Sequence, residues 1–472
     1  MNQSDSVRRS SPQGNKIVNV SDDPSNDTVI KTYLRKPLTF KMCRYRLMRA
    51  LGREIPVEYR TPAERRHFER YCLSLWHERG FSVPELRPLP DHVKTKLPSI
   101  GMTAVPGERL DHFLNNPEHP SEEKLATIAE IYQEMCRRHC IAIFEQNHRL
   151  IHYDANLRNL IVAKDKVVHI DFEMGHLKED IDRSAAREVK KFTLLTLNLI
   201  DSKLANQVLE ILLARYTIRH IVLKLIDEEL QRSFLSIHIK RDLKRKQQSP
   251  GLITNLDIAF RLERMIGLDT SSKIANSNEK ELVKAIETSW DGKFYQSLDD
   301  SNPRGRDMNH RYEVMKIPDR FDNCSVLDIG CNIGRICVDA KKRGAVRAIG
   351  IDHRNDVVDA MNRHFSQNRI DVSLYTFDIN DGVDALKTLI GPDPFEYVFV
   401  LSIWSHVDQQ NLWDIINAYS CDVCYFEDNA PSRVRSLEKL QRTLEKNLNF
   451  SKIEFMGFAT DRGVRAVFRL EK

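Results

Sequence analysis

The chain has 472 residues, 41% of them hydrophobic and 29% charged, which is more than one ordinary hydrophobic core holds, so we expect at least two domains. No apolar run approaches the ~20 residues that span a bilayer, and the amino terminus has no apolar signal-peptide core. Nine cysteines, an odd number, argue against a disulfide framework. These features exclude a disulfide-rich secreted scaffold and an integral membrane protein, and we expect a cytoplasmic protein.

The net charge of +5 is unevenly distributed. Residues 301–472 contain 24 lysines and arginines against 25 aspartates and glutamates, so the excess lies within residues 1–300. Part of it is in IKRDLKRKQQ, residues 239–248. Such a stretch is typical of a solvated helix end or linker, and the alternative is a patch for an anionic membrane or a nucleic acid.

The pattern along the chain changes three times. Residues 1–14 are rich in Ser, Asn and Arg and predict a disordered leader. Residues 15–247 begin with strand-like pieces, continue with the helical stretch TPAERRHFERYCLSLWHERG, and are mostly helical thereafter except for the strand pair LIVAK and KVVHID. Residues 248–300 are turn-rich and predict a linker with helices. Residues 301–472 alternate strands with helices, as in a parallel doubly wound sheet.

The strand pair lies beside two motifs with kinase spacing. Phosphoryl transfer requires a residue that orients the attacking hydroxyl, ligands for Mg²⁺, and a cation over the phosphates. His152, Asp154 and Asn159 form H-x-D-x-x-x-x-N, in which Asp154 would face the acceptor hydroxyl and Asn159 a magnesium ion. Asp171, in Asp-Phe-Glu, matches the metal-binding aspartate of a D-F-G motif. We expect His152 to support the loop rather than to transfer protons.

The cation and the adenine site should precede these motifs. Lys31 lies among β-branched residues in TVIKTYL, as the lysine of V-A-I-K does, and its partner should be Glu69 on the following helix, with Glu64 as the alternative. The stretch LPSIGMTAVPGERLDHFL predicts a strand and hinge that edge the adenine of ATP, with Met102 and Ala104 as the contacts. No G-x-G-x-x-G precedes Lys31, which departs from protein kinases.

Over residues 15–245, HYDANLRN, HIDFE and VPGE resemble the kinase-like group that contains aminoglycoside phosphotransferases, choline kinases and lipopolysaccharide-sugar kinases. The resemblance implies an α+β protein-kinase-like domain that uses ATP and Mg²⁺. Asn156 replaces the lysine usual two residues after the catalytic aspartate, and no A-P-E segment follows Asp171. Both departures favour that group over protein kinases. Because the missing segment forms the platform for a polypeptide acceptor, we expect a sugar or another small hydroxyl compound instead.

A second ligand site is predicted where the later strands end. In CSVLDIGCNIGRICVDA, Gly330 and Gly334 let the backbone approach a ligand at a strand end. Asp352 ends the next strand and suits a ribose diol. The loop is G-x-x-x-G preceded by Asp328, not G-x-G-x-x-G, so it is not tuned to a pyrophosphate and suits a cationic amino-acid end.

This combination resembles the α/β Rossmann-like class I methyltransferases that use S-adenosylmethionine, over residues 300–472. The resemblance implies that Asp328 lies near the methionine part of the cofactor and Asp378, which ends VSLYTFD, beside its adenine. The final residues, FSKIEFMGFATDRGVRAVFRLEK, read as two strands joined by a tight turn, like the terminal antiparallel hairpin of that family.

The methyl-acceptor side is less defined. LSIWSHVDQQ contains no N-P-P-Y motif. Ser402, Trp404 and His406 should line this edge, together with Glu427 and Asp428 after the next strand. His406 is a candidate general base, and a packing or capping histidine is the equal alternative.

Together the two halves resemble bacterial O-antigen chain-terminating kinase-methyltransferases, with the domain order reversed. A phosphate monoester is already anionic at neutral pH, so its methylation needs positioning and charge more than a general base. We therefore expect phosphorylation of a glycan hydroxyl, lipid-linked or soluble, followed by methylation of that phosphate or of a neighbouring hydroxyl, in the cytoplasm or at the inner membrane face. The alternatives are an enzyme that modifies RNA terminal phosphates and a methyltransferase with a nonenzymatic kinase-like adaptor.

Overall fold

The computed structural model describes most of the chain, with gaps. The described residues are 9–10, 16–20, 28–35, 40–51, 55–90, 95–164, 166–176, 178–231, 235–249, 251–266, 296, 298, 306–429, 436–461 and 463–472. They divide into two compact units: an amino-terminal unit of residues 1–143, 147–217 and 221–262, and a carboxy-terminal unit of residues 263–472 with 144–146 and 218–220. Among the described residues, no helix is both long enough and apolar enough to cross a bilayer.

Two predicted regions fall largely outside the described residues. Of the predicted leader, residues 1–14, only Arg9–Ser10 are described, and they form a short strand that pairs with residues 16–17. Of the predicted linker, residues 248–300, the structure describes 248–249, 251–266, 296 and 298, which include the helix Asn255–Met265.

The amino-terminal unit contains two antiparallel sheets. The first has the order β1-β2-β3-β5-β4, with strands β1 (Arg9–Ser10), β2 (Lys16–Val20), β3 (Thr28–Thr32), β4 (Leu86–Arg87) and β5 (Ser99–Thr103). The second has the order β6-β7-β8, with strands β6 (Glu108–Arg109), β7 (Leu160–Val162) and β8 (Val167–His169). The hairpin of β7 and β8 is the predicted strand pair, and it separates the loop of Asp154 from that of Asp171.

Helices occupy most of the rest of this part of the chain. Their bounds are α1 (Phe40–Ala50), α2 (Pro62–Glu78), α3 (Leu110–Asn115), α4 (Ser121–Glu145), α5 (Ile181–Leu197), α6 (Ala205–Arg215), α7 (Arg219–Leu230), α8 (Leu235–Gln248) and α9 (Asn255–Met265). The mixture of antiparallel sheets with helices agrees with an α+β class. That this unit is a kinase-like domain stays a prediction.

The start of α2 fixes the role of Glu64. Thr61 accepts a hydrogen bond from the Glu64 backbone N–H, and the Glu64 carboxylate accepts one from the Thr61 backbone N–H at 3.0 Å, which is a capping box. The same carboxylate pairs with Arg49 at 2.9 Å. Glu64 is therefore a capping residue, and it is not the partner of Lys31.

The carboxy-terminal unit is built on a seven-stranded sheet with the order β11-β10-β9-β12-β13-β15-β14. Its strands are β9 (Ser325–Ile329), β10 (Arg347–Asp352), β11 (Ser373–Thr376), β12 (Phe395–Leu401), β13 (Ser420–Glu427), β14 (Lys452–Ala459) and β15 (Arg465–Glu471). The strands β9 to β13 pair in parallel, whereas β15 is antiparallel to both β13 and β14. The predicted parallel α/β sheet with a terminal antiparallel hairpin is confirmed.

Helices connect these strands, and the topology defines where a ligand binds. The helices are α10 (Met308–Met315), α11 (Arg335–Lys342), α12 (Asn355–Gln367), α13 (Gly382–Ile390), α14 (Gln409–Tyr419) and α15 (Leu437–Asn447). Strands buried on both faces are mostly apolar, as SVLDI and FEYVFVL are apart from Ser325, Asp328 and Glu396. The strand order reverses between β9 and β12, and open α/β sheets bind ligands beyond the carboxyl ends of the strands at this point.

Candidate functional site

The predicted cation of the amino-terminal unit, Lys31, meets its predicted partner Glu69 and also Asp171, the predicted metal ligand. Lys31 on β3 is buried, and its Nζ lies 2.7 Å from Glu69 Oε2 and 2.6 Å from Asp171 Oδ1. Burial works to lower the Lys31 pKa, but the charges of Asp171 and Glu69 outweigh it and raise the pKa. Lys31 is therefore a fixed, charged ammonium group that lies between helix α2 and the loop after β8.

Asp171 is held in an unusual backbone conformation. Its φ is +66°, in the left-handed region that costs free energy for a residue with a Cβ. The following backbone N–H, of Phe172, donates to Glu69 Oε1 at 3.3 Å. Glu69 therefore contacts both the cation and the loop that presents Asp171.

Asp154 and Asn159 lie together on the other predicted loop. Asn159 Nδ2 donates to Asp154 Oδ2 and to the Asp154 carbonyl oxygen, both at 3.0 Å. Asp154 Oδ1 accepts a hydrogen bond from Lys191 of α5 at 2.5 Å. Lys191 was not predicted, because no motif marks it. Asn156 caps the short turn at Leu157–Asn159 by accepting from the Arg158 backbone N–H at 3.3 Å.

The buried carboxylate of Glu188 holds the loop that contains His152 and Asp154 in place. Glu188 of α5 accepts hydrogen bonds from the Arg138 guanidinium, from His139 Nε2 at 2.9 Å and from the His152 backbone N–H at 2.8 Å. Burial would raise the Glu188 pKa, but Arg138 and His139 hold it well below its usual range. His152 Nε2 bonds to the Ile170 carbonyl at 3.0 Å, and burial lowers the His152 pKa to about 4. A neutral His152 therefore ties the two loops together, the supporting role that we predicted.

The predicted adenine contacts lie on β5 and just after it. Met102 is opposite Val29 of β3, and Lys31 is opposite Ile100. Because opposed residues and alternate residues of a strand share a face, Lys31 and Met102 lie on the same face of the sheet. Ala104 follows β5 and is partly buried.

These residues fit a nucleotide with magnesium. Mg²⁺ in phosphotransferases is bound by one or two side chains together with waters and substrate phosphates. Asp171 and Asn159 supply two such side chains, and the described residues contain no cluster of three or more His, Cys, Asp or Glu that would hold a metal alone. Lys31, fixed by Glu69, would supply the cation for the phosphates.

A cavity of about 370 Å³ lies at the predicted end of the seven-stranded sheet. It is lined by predicted residues from the ends of four successive strands: Gly330, Asp352, Asp378 and His406. Ser402 also lines it. The structure thus brings together residues that are up to 76 positions apart in the chain.

The glycine loop shapes the floor of this cavity. Gly330 has φ +79°, and a Cβ there would lie 2.3 Å from Ile403 Cγ2. Asp352 accepts backbone hydrogen bonds from Asn332 at 2.9 Å and Arg354 at 3.0 Å. Asn332 Oδ1 is buried and has no hydrogen-bond partner among the described residues. An unpartnered acceptor beside a carboxylate fits the hydroxyl and amino groups of S-adenosylmethionine.

Two predicted cofactor residues, Asp328 and Gly334, are not among the residues that line this cavity. Asp328 is inside β9, opposite Gly350 and Phe399, and is 3% exposed. Burial raises its pKa to about 7, with Arg311 acting in the opposite direction. Gly334 caps α11 with φ +73° and packs against Leu374. We placed Asp328 at a strand end, but the strand continues past it to Ile329.

A buried ion-pair network adjoins the acceptor side. Glu427 accepts from Arg311 Nη2 at 2.8 Å, lies 3.7 Å from Arg306 Nη1, and lies 3.4 Å from Arg465 Nη1. Arg306 also binds Asp461 at 3.1 Å. Burial would raise the pKa values of both carboxyl groups, but the arginines lower them, that of Asp461 to about 2.

This network explains why two of the predicted edge residues, Glu427 and Asp428, do not line the cavity. Glu427 and Asp428 are buried and hydrogen-bonded, Asp428 by Trp404 Nε1 at 2.7 Å, so they hold the edge rather than face a ligand. Arg465 and Asn429 line the cavity and were not predicted. No local motif marks either residue, because the terminal hairpin and the end of β13 bring them there.

The basic segment predicted as a helix end belongs to α8. Its exposed side chains include Ile237, Leu243, Lys240 and Lys244, whereas His238 and Asp242 are partly buried. Large apolar side chains and lysines are thus both exposed on this helix.

The sequence comparisons with known proteins match a small part of the chain. No protein-family model matches it. Over 74 residues the chain is 38% identical to the uncharacterized protein MJ0284 of Methanocaldococcus jannaschii, a match that covers 16% of this chain and 34% of that protein. The chain therefore spans about a third of the length of this curated relative.

Similar solved structures include methyltransferases. The bifunctional kinase-methyltransferase WbdD matches with 15% identity and a TM-score of 0.30, over 41% of this chain and 46% of that one. The magnesium protoporphyrin IX methyltransferase of Synechocystis PCC 6803 matches with 12% identity and a TM-score of 0.26, over 49% of this chain and 99% of that one. Likenesses at these TM-scores do not assign the chain to a family.

Proposed function

We propose that this chain is a bifunctional transferase: an ATP-dependent kinase in the amino-terminal unit and an S-adenosylmethionine-dependent methyltransferase in the carboxy-terminal unit. The observation that carries the proposal is the cavity of about 370 Å³ at the point where the strand order reverses, lined by Gly330, Asp352, Asp378 and His406. The contacts of Lys31 with Glu69 and Asp171 support the kinase assignment independently.

When bound, S-adenosylmethionine supplies an electrophilic methyl group. Asp352 would hold its ribose diol, and Asp378 would lie beside its adenine. The glycine at position 330 would let the protein backbone approach the cofactor closely. Ser402, His406, Asn429 and Arg465 line the same cavity and would face the acceptor. A cation at this edge favours an anionic acceptor such as a phosphate monoester, which needs positioning rather than a base.

When bound, ATP with Mg²⁺ supplies the phosphoryl group in the amino-terminal unit. Asp171 and Asn159 would hold the metal ion, Lys31 the phosphates, and Met102 and Ala104 the adenine. Asp154 would orient the acceptor hydroxyl and take its proton. The proposed acceptor is a sugar hydroxyl of a glycan, soluble or lipid-linked, handled in the cytoplasm or against the inner membrane face, and the phosphorylated product is the proposed methyl acceptor.

Calorimetric titration of the full chain tests the two sites separately. We expect Lys31→Met to lose ATP–Mg²⁺ binding and keep S-adenosylmethionine binding, and Asp352→Asn to do the reverse. If Lys31→Met still binds ATP–Mg²⁺ and Asp352→Asn still binds S-adenosylmethionine, the site assignments are refuted. An ATP site without turnover would favour an adaptor role for the amino-terminal unit, and salt-dependent RNA binding would favour an RNA-end substrate.

A further inference from the structure

Lys191 contacts Asp154, the proposed base of the kinase reaction. It lies on α5, and its Nζ is 2.5 Å from Asp154 Oδ1. The other carboxylate oxygen, Asp154 Oδ2, accepts from Asn159 Nδ2 at 3.0 Å. Both oxygens of the proposed base are therefore engaged, one by a proposed metal ligand and one by a lysine whose side chain is 40% exposed.

The same lysine lines a cavity of about 420 Å³. Tyr153, Met174, His176 and Arg187 line it as well. Lys191 thus contacts Asp154 and borders a space large enough for a monosaccharide. Lys190 lines this cavity too, but its Nζ pairs with buried Glu229 at 2.8 Å.

Phosphoryl transfer spreads negative charge over the three equatorial oxygens of the transferring group, and preorganised cations stabilise that charge. Lys31 and the proposed metal ligands serve the nucleotide. Asn156, two residues after Asp154, is neutral and caps a turn. In the described part of the chain, Lys191 is the cation in contact with Asp154.

We propose that Lys191 is a catalytic residue of the kinase reaction, which supplies from helix α5 the cation that the catalytic loop lacks, and that the adjoining cavity admits the hydroxyl acceptor. This inference rests on the proposed kinase function. Without substrates, Lys191 is paired with Asp154. With substrates bound, the Lys191 ammonium group moves away from Asp154 and pairs with a non-bridging oxygen of the γ-phosphoryl group. This movement leaves Asp154 Oδ1 available to the acceptor hydroxyl.

The step balances without a further reactant. The acceptor oxygen forms a bond to the γ-phosphorus while the bond from that phosphorus to the β–γ bridging oxygen breaks. The electron pair of the broken bond leaves with ADP. The hydroxyl proton passes to Asp154 Oδ1, and Lys191 remains protonated throughout.

Three variants of the full chain test the proposal: Lys191→Met, Lys191→Arg and, as a control, Arg183→Met. Arg183 lies on the same helix and forms an exposed pair with Glu228 at 3.1 Å. The probe is ATP with Mg²⁺, with water and with millimolar monosaccharides as acceptors, and a fluorescent ATP analogue reports affinity. Removing one stabilising donor from a transition state costs on the order of 100-fold in kcat.

We expect Lys191→Met to lower kcat by about 100-fold while the ATP affinity stays within about twofold, because the lysine acts only in the transition state. Lys191→Arg should keep at least about a tenth of the turnover, because it keeps the charge, and Arg183→Met should match the unmodified chain.

Two results would overturn the role of Lys191 alone: an Lys191→Met kcat within about threefold of the unmodified chain, or a loss of turnover accompanied by a matching loss of ATP affinity or of melting temperature. An unmodified chain that shows no turnover dependent on Lys31 would refute the proposed kinase function itself and this inference with it.

Discussion

Asp328 should make the stability of the carboxy-terminal unit depend on pH. Burial raises the pKa of this carboxyl group from 3.8 to about 7. The folded chain therefore keeps a proton that the unfolded chain has lost between about pH 4 and pH 7. Because the folded state binds more protons in this window, stability falls as the pH rises through it and is constant above it.

The size of the effect follows from the difference in pKa. A difference of about 3 units at 1.36 kcal/mol per unit gives roughly 4 kcal/mol of lost stability between pH 4 and pH 8. Asp328→Asn removes the titrating group and keeps the shape of the side chain. We expect this variant to be more stable than the unmodified chain at pH 8, by up to about 4 kcal/mol, and to lose the pH dependence.

Hydrogen exchange measured by mass spectrometry resolves the two units and so suits this chain. The peptide that contains β9 should exchange faster at pH 8 than at pH 5 in the unmodified chain, after correction for the intrinsic exchange rate, and equally at both values in Asp328→Asn. Asp393→Asn, at an exposed position, is the matched control. Equal pH dependence in Asp328→Asn and in the unmodified chain would refute the reasoning.

Three further predictions concern other parts of the molecule. Glu188→Gln removes the carboxylate paired most closely with the buried Arg138 guanidinium and leaves it only Glu134 at 3.7 Å, so the amino-terminal unit should lose about 3–5 kcal/mol in thermal unfolding, whereas the exposed Glu210→Gln should change little; equal melting temperatures would contradict the anchoring role. Gly330→Ala places a Cβ 2.3 Å from Ile403 Cγ2 and should abolish S-adenosylmethionine binding in calorimetry, whereas Gly391→Ala, with φ +91° but no neighbour within 4 Å, should bind normally; normal binding by Gly330→Ala would mean that the loop is not part of the site. Helix α8 exposes Ile237 and Leu243 by 60% and 55% beside Lys240 and Lys244, so the chain should sediment with vesicles of anionic lipid but not of phosphatidylcholine, and a Lys240→Glu, Lys244→Glu variant should not; sedimentation unaffected by these changes would exclude α8 as the contact.

Local chemistry explains which site residues the sequence could predict. A glycine in a strand-to-helix loop and acidic residues at strand ends mark Gly330, Asp352 and Asp378, because parallel strands end at one edge of a sheet. The partner of Lys31 was predictable as a helical carboxylate, and the capping box at Thr61, which engages Glu64, explains why that partner is Glu69.

The residues that escaped prediction depend on tertiary packing. Lys191 reaches Asp154 across 37 positions because α5 packs against the catalytic loop, and nothing in VKKFTLL distinguishes it from Lys190. Arg306 and Asp461 meet across 155 positions. The predicted end of β9 at Asp328 differs by one residue from the observed end at Ile329, because strand ends are uncertain by a few residues, and here one residue separates a buried acid from Gly330, which lines the cavity.

The dependence of methyl transfer on ATP tests the central claim most directly. The full chain is incubated with labelled S-adenosylmethionine, Mg²⁺ and an extract of soluble and lipid-linked glycans, with and without ATP. We expect methyl incorporation that requires ATP and disappears in Asp171→Ala. Equal incorporation without ATP would contradict phosphorylation as the step that creates the methyl acceptor.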